Sequence, residues 1–408
     1  MLAATRLLDV DMARIEHLLP SVEPELDPCV AGPRAGGVYP VAETRLIGNE
    51  RQYLNECIDT NWISSRGPFV ERFEAAFAAE CGVGHAVACA NGTVALHLAI
   101  AALGIGPGDE VIVPTFTMIA TANAVRYTGA TVRLVDAEPE YFNIDADRIV
   151  AAITPSTKAI VVVHVYGHPA RMEAILEIAR RYDLIVIEDA AEAHGAELNG
   201  RRAGGFGRVS AFSFYANKII TTGEGGMVCT DDPDLAALAR KLRDHAFSSE
   251  RHFWHEYLGF NYRMTNLQAA VGLAQVERLD QIVDARRKLA GWYAARLGRL
   301  PGVRTPKEAP HARNVFWMYG VRLEPEFGLT RDQLREALGR RGIETRTFFI
   351  PIHLQPIYCE AFRGEAFPVA DQLCGDGLYL PTSEALDEAD VDWICAQIAE
   401  IRVTHGRG

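Results

Sequence analysis

The chain has 408 residues, of which 49% are apolar, and a formal net charge of −12. This length allows a soluble protein of two or three domains with a large core, whereas the negative charge argues against nucleic-acid binding through a general positive field. No apolar run reaches the roughly 18 residues of a membrane span, and the acidic N-terminal segment lacks the apolar stretch of a secretory signal, so we expect a cytoplasmic protein.

Residues 1–37 differ in pattern from the rest of the chain. Met12, Ile15 and Leu18 have helical spacing, and the run at 31–37 contains the Gly and Pro residues typical of a flexible link. We interpret residues 1–37 as an N-terminal extension of unknown role. The alternative is a poorly ordered tail.

From about residue 48, helical and strand patterns alternate. Helices are predicted near 48–60, 70–81, 92–103, 118–127 and 169–182. Short apolar strands are predicted near 85–89, 110–113, 131–135, 159–164, 184–189, 209–214 and 226–230. This alternation predicts an α/β sheet, mostly parallel and covered on both faces, in a large domain of residues 38–285.

A long helical pattern from Thr265 to about Leu297 links this domain to a smaller one, with a boundary near residue 285. The remaining residues, 286–408, mix two kinds of signal. Strands are predicted within 315–323 and 345–350, and helices near 330–341 and 386–402. We therefore expect a C-terminal α+β domain.

The eight cysteines are scattered along the chain. They form no CxxC pair and no His/Cys spacing typical of a metal site. We expect free thiols in a reducing compartment and no bound metal.

Lys218 is the most informative candidate for chemistry. It follows Asp189, which closes the apolar strand 184–189, and it lies near Ser213 and a Gly-rich turn at 223–226. A lysine amine can condense with the aldehyde of pyridoxal phosphate, and a carboxylate can keep the cofactor's pyridine nitrogen protonated. Taken alone, Lys218 would be interpreted as a surface lysine in a loop.

A predicted phosphate site changes that interpretation. Gly92 and Thr93 open an apolar helical pattern, where free N–H groups and the helix dipole favour an anion. Ser213 adds a second hydroxyl, and Asp189 ends a strand, where α/β sheets place their ligands. The ordered set of Gly-Thr, strand Asp, Ser and Lys predicts an enzyme that uses pyridoxal phosphate.

These residues resemble the DegT/StrS family of nucleotide-sugar aminotransferases over roughly residues 38–405. The matching runs are NWISS at 61–65, NGT at 91–93, VPTFT at 113–117, EDAAEA at 188–193, NK at 217–218, GEGGM at 223–227 and GFNYRM at 259–264. The resemblance implies pyridoxal-phosphate fold type I, the fold of aspartate aminotransferase. It also implies a homodimer, or a dimer of dimers, with shared active sites.

The resemblance assigns the cofactor contacts position by position. Lys218 matches the lysine that binds the cofactor aldehyde, and Asp189 the partner of the pyridine nitrogen. Glu192 matches a position near the cofactor 3-hydroxyl that often holds Gln. Met118 stands where many relatives carry an aromatic residue over the cofactor ring, and a thioether can also pack on a π-face.

The phosphate contacts are assigned in the same way. Gly92, Thr93 and Ser213 match phosphate contacts within the subunit. Asn261 matches a residue that reaches the phosphate of the neighbouring subunit's cofactor.

Four further residues are candidates for binding the sugar nucleotide. Trp62 is either a buried anchor or a sugar contact, and Ser64 is either a sugar contact or a turn hydroxyl bonded to its own backbone. Arg346 suits a diphosphate, the alternative being a solvated or structural arginine, and His353 has the same two interpretations. We interpret His164, at a strand end, as a packed core residue.

The activity implied by the resemblance is transfer of an amino group from L-glutamate to a nucleotide-linked keto sugar. Softer matches at 166–169, 217–224, 263–266, 272–275 and 344–346 favour members that aminate a GDP-linked 4-keto-6-deoxy sugar. The alternatives are a UDP- or dTDP-linked keto sugar, a sugar dehydratase of the same fold, or a non-catalytic regulator. In the dehydratases a histidine replaces the lysine, so Lys218 argues against that branch.

Overall fold

A computed structural model describes residues 37–251 and 253–405. The predicted N-terminal extension, apart from residue 37, lies outside the described residues. Within these two ranges, no helix is both long enough and apolar enough to cross a membrane. The seven cysteines in these ranges are free thiols.

The strands and helices of the described ranges alternate along most of the chain. The strands are β1 (His85–Cys89), β2 (Glu110–Pro114), β3 (Thr131–Val135), β4 (Thr157–Val163), β5 (Ile185–Asp189), β6 (Glu197–Leu198), β7 (Arg201–Arg202), β8 (Val209–Ser213), β9 (Gly226–Thr230), β10 (Val303–Arg304), β11 (Ala312–Arg313), β12 (Tyr319–Leu323), β13 (Arg346–Thr347) and β14 (Gly377–Leu380). The α-helices are α1 (Glu50–Asp59), α2 (Pro68–Cys81), α3 (Gly92–Ala102), α4 (Ala120–Tyr127), α5 (Ala146–Ala152), α6 (Met172–Tyr182), α7 (Pro233–Arg243), α8 (Asn266–Val276), α9 (Leu279–Leu297), α10 (Arg331–Arg340), α11 (Pro368–Asp376) and α12 (Glu388–His405).

A seven-stranded sheet in the order β1-β9-β8-β5-β4-β2-β3 forms the centre of the larger part of the chain. Its neighbouring strands are parallel from β8 to β3, and β9 is antiparallel to both β8 and β1. The carboxyl ends of the other six strands therefore meet at one edge, hereafter the carboxyl edge. Ligands of open α/β sheets bind at this edge.

Helices cover both faces of the sheet, as β4 shows residue by residue. Val161 and Val163 lie in the larger apolar core, whereas Ile160 and Val162 lie in a second core with Ile175 of α6. Successive side chains of a strand point to opposite faces, so a strand buried on both sides reads as a continuous apolar run.

Close packing of α2, α8 and β8 surrounds the carboxyl edge with aromatic rings. The Phe77 ring centroid lies 4.8 Å from that of Phe212 and 5.1 Å from that of Phe214. Gly272 lets α8 approach α2, because a Cβ at this position would lie 2.6 Å from the Phe73 ring. Such interdigitated packing leaves little freedom for the strands that carry the site.

The C-terminal part of the chain contains an antiparallel sheet in the order β10-β12-β14-β13. Residues of α9, α10 and α12 pack against it in a separate apolar core. In this core the Tyr293 and Tyr319 rings stack with centroids 4.8 Å apart. The predicted boundary at residue 285 falls inside α9.

The pattern at 265–297 is two helices, so the prediction of one continuous helix is wrong. The break lies at Glu277 and Arg278, and both side chains bind elsewhere in the chain. The Glu277 carboxylate accepts from Asn49 Nδ2 and Tyr53 Oη, each at 2.7 Å, while Arg278 donates to Glu384 at 3.0 Å. These contacts set the angle between α8 and α9.

The α/β fold class with a mostly parallel sheet is confirmed. Each strand predicted in the large domain is present within two residues of its predicted bounds. The structure adds elements that were not predicted from the sequence, namely the helices α5, α7 and α11 and the strands β6, β7, β10, β11 and β14. A signal for α7 was available, since Asp232 caps it and Pro233 is its first residue.

Candidate active site

Several of the predicted cofactor contacts meet at the carboxyl edge. Asp189 is the last residue of β5, Glu192 lies in the turn that follows, and Ser213 ends β8. Lys218 follows in the turn between β8 and β9, and Gly92 is the first residue of α3. The parallel arrangement brings these ends together.

Lys218 is partly buried and lies against an aromatic ring. Its Nζ is 3.8 Å from the centroid of the Trp317 ring, and Trp317 Nε1 donates to the backbone oxygen of Asn217 at 2.8 Å. Burial lowers the pKa of Lys218, and the Glu192 and Asp189 carboxylates oppose that shift. Lys218 is therefore not a surface lysine, and its amine is more easily deprotonated than an ordinary one.

Asp189 is buried, and hydrogen-bond donors reach both of its carboxylate oxygens. Thr121 Oγ1 donates to Oδ2 at 2.7 Å, and the Ala191 backbone N–H donates to Oδ1 at 3.2 Å. Burial raises the pKa of Asp189, whereas the Thr121 and Ala191 hydrogen bonds and the charge of Lys218 lower it. These donors stabilise the charged form that a pyridinium partner requires.

Glu192 is also buried, and its protonation is finely balanced. Burial raises its pKa to about 7, against the opposing effects of Lys218 and of the Tyr166 backbone N–H, which donates to Oε2 at 2.7 Å. Tyr166 adopts a left-handed backbone with φ of 54°, an uncommon conformation for a bulky residue. Its ring packs on Phe348 and Phe349 at centroid distances of 5.0 and 5.2 Å, which holds this conformation in place.

The start of α3 packs directly on the end of β8. A Cβ at Gly92 would lie 2.5 Å from Ser213 Cβ, so only glycine allows this approach. Asn91 caps the helix by accepting from Val94 N at 3.0 Å, while the amides of Gly92 and Thr93 precede the first intrahelical bond. A phosphate suits this point. It would find the amides of Gly92 and Thr93, the hydroxyls of Thr93 and Ser213, and the N-terminus of α3.

This set of side chains fits pyridoxal phosphate. The cofactor's aldehyde, ring nitrogen and phosphate require, in turn, a lysine amine, a carboxylate and a set of hydrogen-bond donors. The partly buried Lys218, the buried Asp189 with donors on both oxygens, and the helix start at Gly92 supply these groups.

The predicted residues Trp62 and Ser64 lie in a segment that Asn266 of α8 holds in place. Asn266 Nδ2 donates to the Trp62 backbone oxygen at 2.7 Å, and Asn266 N donates to the Ser64 backbone oxygen at 2.6 Å. Both predicted side chains are exposed. The interpretation of Trp62 as a buried anchor is therefore wrong.

Met118 and Asn261 are exposed at the same end of the molecule. Met118 lies just before α4, after the end of β2. Asn261 precedes Tyr262, whose backbone oxygen accepts from the Ala90 N–H at 2.8 Å, next to the start of α3. Both side chains are therefore accessible in a single chain.

The two C-terminal candidates differ in their surroundings. Arg346 is exposed and lies opposite Tyr379 in the β13–β14 register. Burial raises the pKa of the Tyr379 phenol to about 12, with Glu192 adding to the shift and Arg346 opposing it, so the charges of both groups act on Tyr379.

His353 is buried, and both of its ring nitrogens bind protein groups. Nδ1 lies 2.7 Å from Thr115 Oγ1, and Nε2 lies 3.0 Å from Asp371 Oδ1. It thus connects the end of β2 to α11. This geometry favours a structural role over the predicted substrate contact.

Three residues that contact the predicted site residues were not predicted from the sequence, namely Thr121, Tyr166 and Trp317. Thr121 and Trp317 carry no local signal, because one lies within an ordinary helical pattern and the other within a strand-like one. Tyr166 stands in a run that was recognised, but its role depends on a backbone conformation that the sequence does not reveal.

Comparison with known proteins gives consistent matches over most of the chain. A sequence profile of the DegT/DnrJ/EryC1/StrS aminotransferase family matches residues 45–399. A Caulobacter vibrioides protein named GDP-perosamine synthase is 53% identical over 364 residues, which cover 89% of this chain and 98% of that protein.

Two further matches come from Streptomyces venezuelae. A protein named dTDP-3-amino-3,4,6-trideoxy-alpha-D-glucose transaminase is 44% identical over 324 residues, which cover 79% of this chain and 84% of that protein. Among solved structures, S. venezuelae DesV in complex with a ketimine intermediate has a TM-score of 0.82 at 40% identity, covering 87% of this chain and 94% of that one.

The raised pKa of Glu192 predicts that the free energy of unfolding changes with pH. A carboxyl group whose pKa is raised in the folded state stabilises the fold below its unfolded pKa, and this stability is lost as the pH rises through the folded pKa of about 7. Relative to wild type, the cofactor-free Glu192→Gln variant should therefore gain about 2–3 kcal/mol of unfolding free energy between pH 5 and pH 8. Urea unfolding at a series of pH values measures this difference. Glu326→Gln, at an exposed position, is the control, and a Glu192→Gln difference that stays constant with pH would contradict the assignment.

Proposed function

Because the chain belongs to the DegT/DnrJ/EryC1/StrS aminotransferase family, we propose that it transfers an amino group from L-glutamate to GDP-4-keto-6-deoxymannose and releases GDP-perosamine. Pyridoxal phosphate is the proposed cofactor. The observation that carries this proposal is the meeting of Lys218, Asp189 and Glu192 at the carboxyl edge, beside a phosphate cradle. The seven free thiols within residues 37–251 and 253–405 fit the proposed cytoplasmic location.

The proposed roles follow from the surroundings of each side chain. When bound, pyridoxal phosphate supplies an aldehyde for amines and a protonated ring that accepts electrons. Asp189 would hold the proton of the ring nitrogen, and Gly92, Thr93 and Ser213 would hold the phosphate. Lys218 Nζ would bind the aldehyde.

Lys218 is also the proposed general base and acid. Burial lowers its pKa, so a larger share of the amine is neutral near pH 7 and can take up a proton at Nζ. Once protonated, the ammonium faces the Trp317 ring at 3.8 Å, where the π-system attracts a cation. Trp317 thus offers the charged amine a fixed place inside the protein.

Residues near the exposed rim would bind the sugar nucleotide. Arg346 is our candidate for the diphosphate, because a guanidinium suits phosphate geometry and a chain of net charge −12 needs a local cation to hold an anion. Trp62 and Ser64 are proposed sugar contacts, and Met118 is proposed to cover the cofactor ring. For His353 we propose that it holds the wall of the site through Thr115 and Asp371.

The identity of the sugar rests on the relatives. The protein named GDP-perosamine synthase is more similar over a larger share of the chain than the dTDP-sugar transaminase. The second relative still reaches 44% identity, so amination of a dTDP- or UDP-linked keto sugar is the alternative to be tested.

Lys218→Ala should reduce the release of 2-oxoglutarate from L-glutamate by about a thousandfold or more, because it removes both the aldehyde partner and the proton carrier. A coupled assay for 2-oxoglutarate measures the rate. Lys158→Ala, at an exposed position on β4, should behave like wild type. A near-normal rate in Lys218→Ala would refute the mechanism.

The sugar should be a GDP-linked 4-keto-6-deoxy sugar. With L-glutamate as donor and mass spectrometry as readout, we expect GDP-linked substrate to exceed the UDP- and dTDP-linked forms by about tenfold or more in kcat/KM.

Arg346→Ala should raise KM for the nucleotide sugar about tenfold and leave the glutamate half-reaction unchanged. Arg299→Ala, at an exposed position, should leave both the KM and the half-reaction unchanged. Equal turnover of the other nucleotides would overturn the GDP assignment, and an unchanged KM would remove Arg346 from the site.

We further propose a homodimer in which Asn261 reaches the partner's cofactor. Large apolar side chains protrude just before Asn261, with Phe253 72% exposed and Leu258 88% exposed, which is typical of an interaction surface.

Mixing the Lys218→Ala and Asn261→Ala variants tests this proposal. Dimers of either variant alone should not be fully active. Random mixing should restore about a quarter of the wild-type activity, because each hybrid dimer has one intact site. No recovery in confirmed hybrids, with Asn261→Ala alone clearly impaired, would argue against shared sites.

A further inference from the structure

Two threonines form a hydrogen-bonded chain that ends on Asp189. Thr117 Oγ1 lies 3.1 Å from Thr121 Oγ1, and Thr121 Oγ1 lies 2.7 Å from Asp189 Oδ2. All three side chains are buried. The threonines belong to the segment between β2 and the first turn of α4, while Asp189 closes β5, so the chain of hydrogen bonds connects the end of β5 to the segment after β2, past the intervening strand β4.

The direction of each hydrogen bond follows from the number of protons available. An ionised carboxylate only accepts, and a hydroxyl carries a single proton. Thr121 must therefore donate to Asp189, which leaves its oxygen as the acceptor for Thr117. Thr117 donates to Thr121, and this fixes the Thr121 hydroxyl in the direction of Asp189.

The other groups around Asp189 do not replace this donor. Burial raises the pKa of Asp189, and the Thr121 hydrogen bond is the largest opposing cause, ahead of the Ala191 amide, Lys218 and His164. Lys218 is itself more easily deprotonated because of burial. Glu192, on the turn after β5, adds no positive charge.

We propose that Thr121 is a positioning residue that keeps Asp189 ionised and oriented toward the cofactor's ring nitrogen, and that Thr117 sets the direction of the Thr121 hydroxyl. The inference rests on the proposed function, because it assigns Asp189 to the ring nitrogen. Without the Thr121 donor, Asp189 is a stronger base and takes the shared proton from the ring. A ring without that proton is a weaker electron acceptor.

A purely structural tie between α4 and β5 predicts a different outcome. Such a tie would affect folding or cofactor binding but would leave the ring-nitrogen proton where it is. Thr121→Val removes the donor with little change in shape, and Thr121→Ser restores a hydroxyl. Thr117→Val removes only the group that orients Thr121.

The test uses pyridoxal phosphate labelled with ¹⁵N in its ring, bound to the full-length wild type and to each variant. The ¹⁵N chemical shift of the ring nitrogen is followed from pH 6 to pH 9, and the rate of 2-oxoglutarate release from L-glutamate is measured in parallel. Thr128→Val is the matched control, because Thr128, the C-cap of the same helix, donates its hydroxyl to the Val125 backbone oxygen at 2.8 Å.

In Thr121→Val, the ring-nitrogen resonance should move toward that of unprotonated pyridine, and the rate should fall about 10- to 100-fold, the range expected for losing a hydrogen bond to a charged group. Thr121→Ser should restore both within about threefold. Thr117→Val should shift the resonance in the same direction by a smaller amount, and Thr128→Val should match wild type.

An unshifted resonance in cofactor-loaded Thr121→Val, or a Thr121→Ser variant no better than Thr121→Val, would overturn the inference. If Thr121→Val does not fold, Thr117→Val decides, since an unshifted resonance there would also refute it. A wild-type protein that takes up no pyridoxal phosphate would refute the proposed function, and this inference with it. If the wild type reacts normally and the Thr121→Val variant matches it in ring-nitrogen resonance and rate, only the role of Thr121 is refuted.

Discussion

Three ionisable side chains, those of Lys218, Asp189 and Glu192, lie together in a largely buried space at the carboxyl edge. The rest of the site depends on the groups that stabilise their charges there. Burial lowers the pKa of the amine and raises the pKa of both carboxyls. Removing a charge from water costs several kcal/mol unless partners compensate. The Thr121 hydroxyl and the Ala191 and Tyr166 amides are these partners, so the polar groups around the edge follow from the need to keep charge inside.

The scaffold beneath this space is held by a second buried carboxylate. Glu188 precedes Asp189 on β5, and the two-residue period of a strand points the two side chains in opposite directions. Glu188 accepts backbone N–H groups from the 204–207 turn at 2.6–2.7 Å and lies 3.0 Å from His164 Nε2. Both side chains of that pair are fully buried, which confirms His164 as a core residue. With Glu188 bonded on one side, the end of β5 has little freedom, and Asp189 is aimed from a rigid position.

Local pattern was sufficient to predict the sheet and the placement of Lys218 and Asp189 at its carboxyl edge. The strands are apolar runs bounded by turns, and Lys218 and Asp189 stand in motifs whose meaning does not depend on distant contacts. Thr121 could not be predicted, because it acts on a residue 68 positions away along the chain. The division between α8 and α9 could not be predicted for the same reason, since its cause lies in side-chain contacts with Tyr53 of α1 and with Glu384.

The C-terminal part of the chain completes the electrostatics of the site. Trp317 supplies the ring against which Lys218 lies, and Arg286 holds Trp317 by donating to its backbone oxygen at 3.0 Å and to that of Thr382 at 3.3 Å. Burial is the largest cause of the pKa shifts at Lys218 and Glu192, and part of that burial comes from these contacts. If the two parts of the chain separated and water entered, both groups would return toward their ordinary pKa values. The contact between the two parts is therefore a chemical requirement of the site, because it maintains the burial that lowers the pKa of Lys218 and raises the pKa of Glu192.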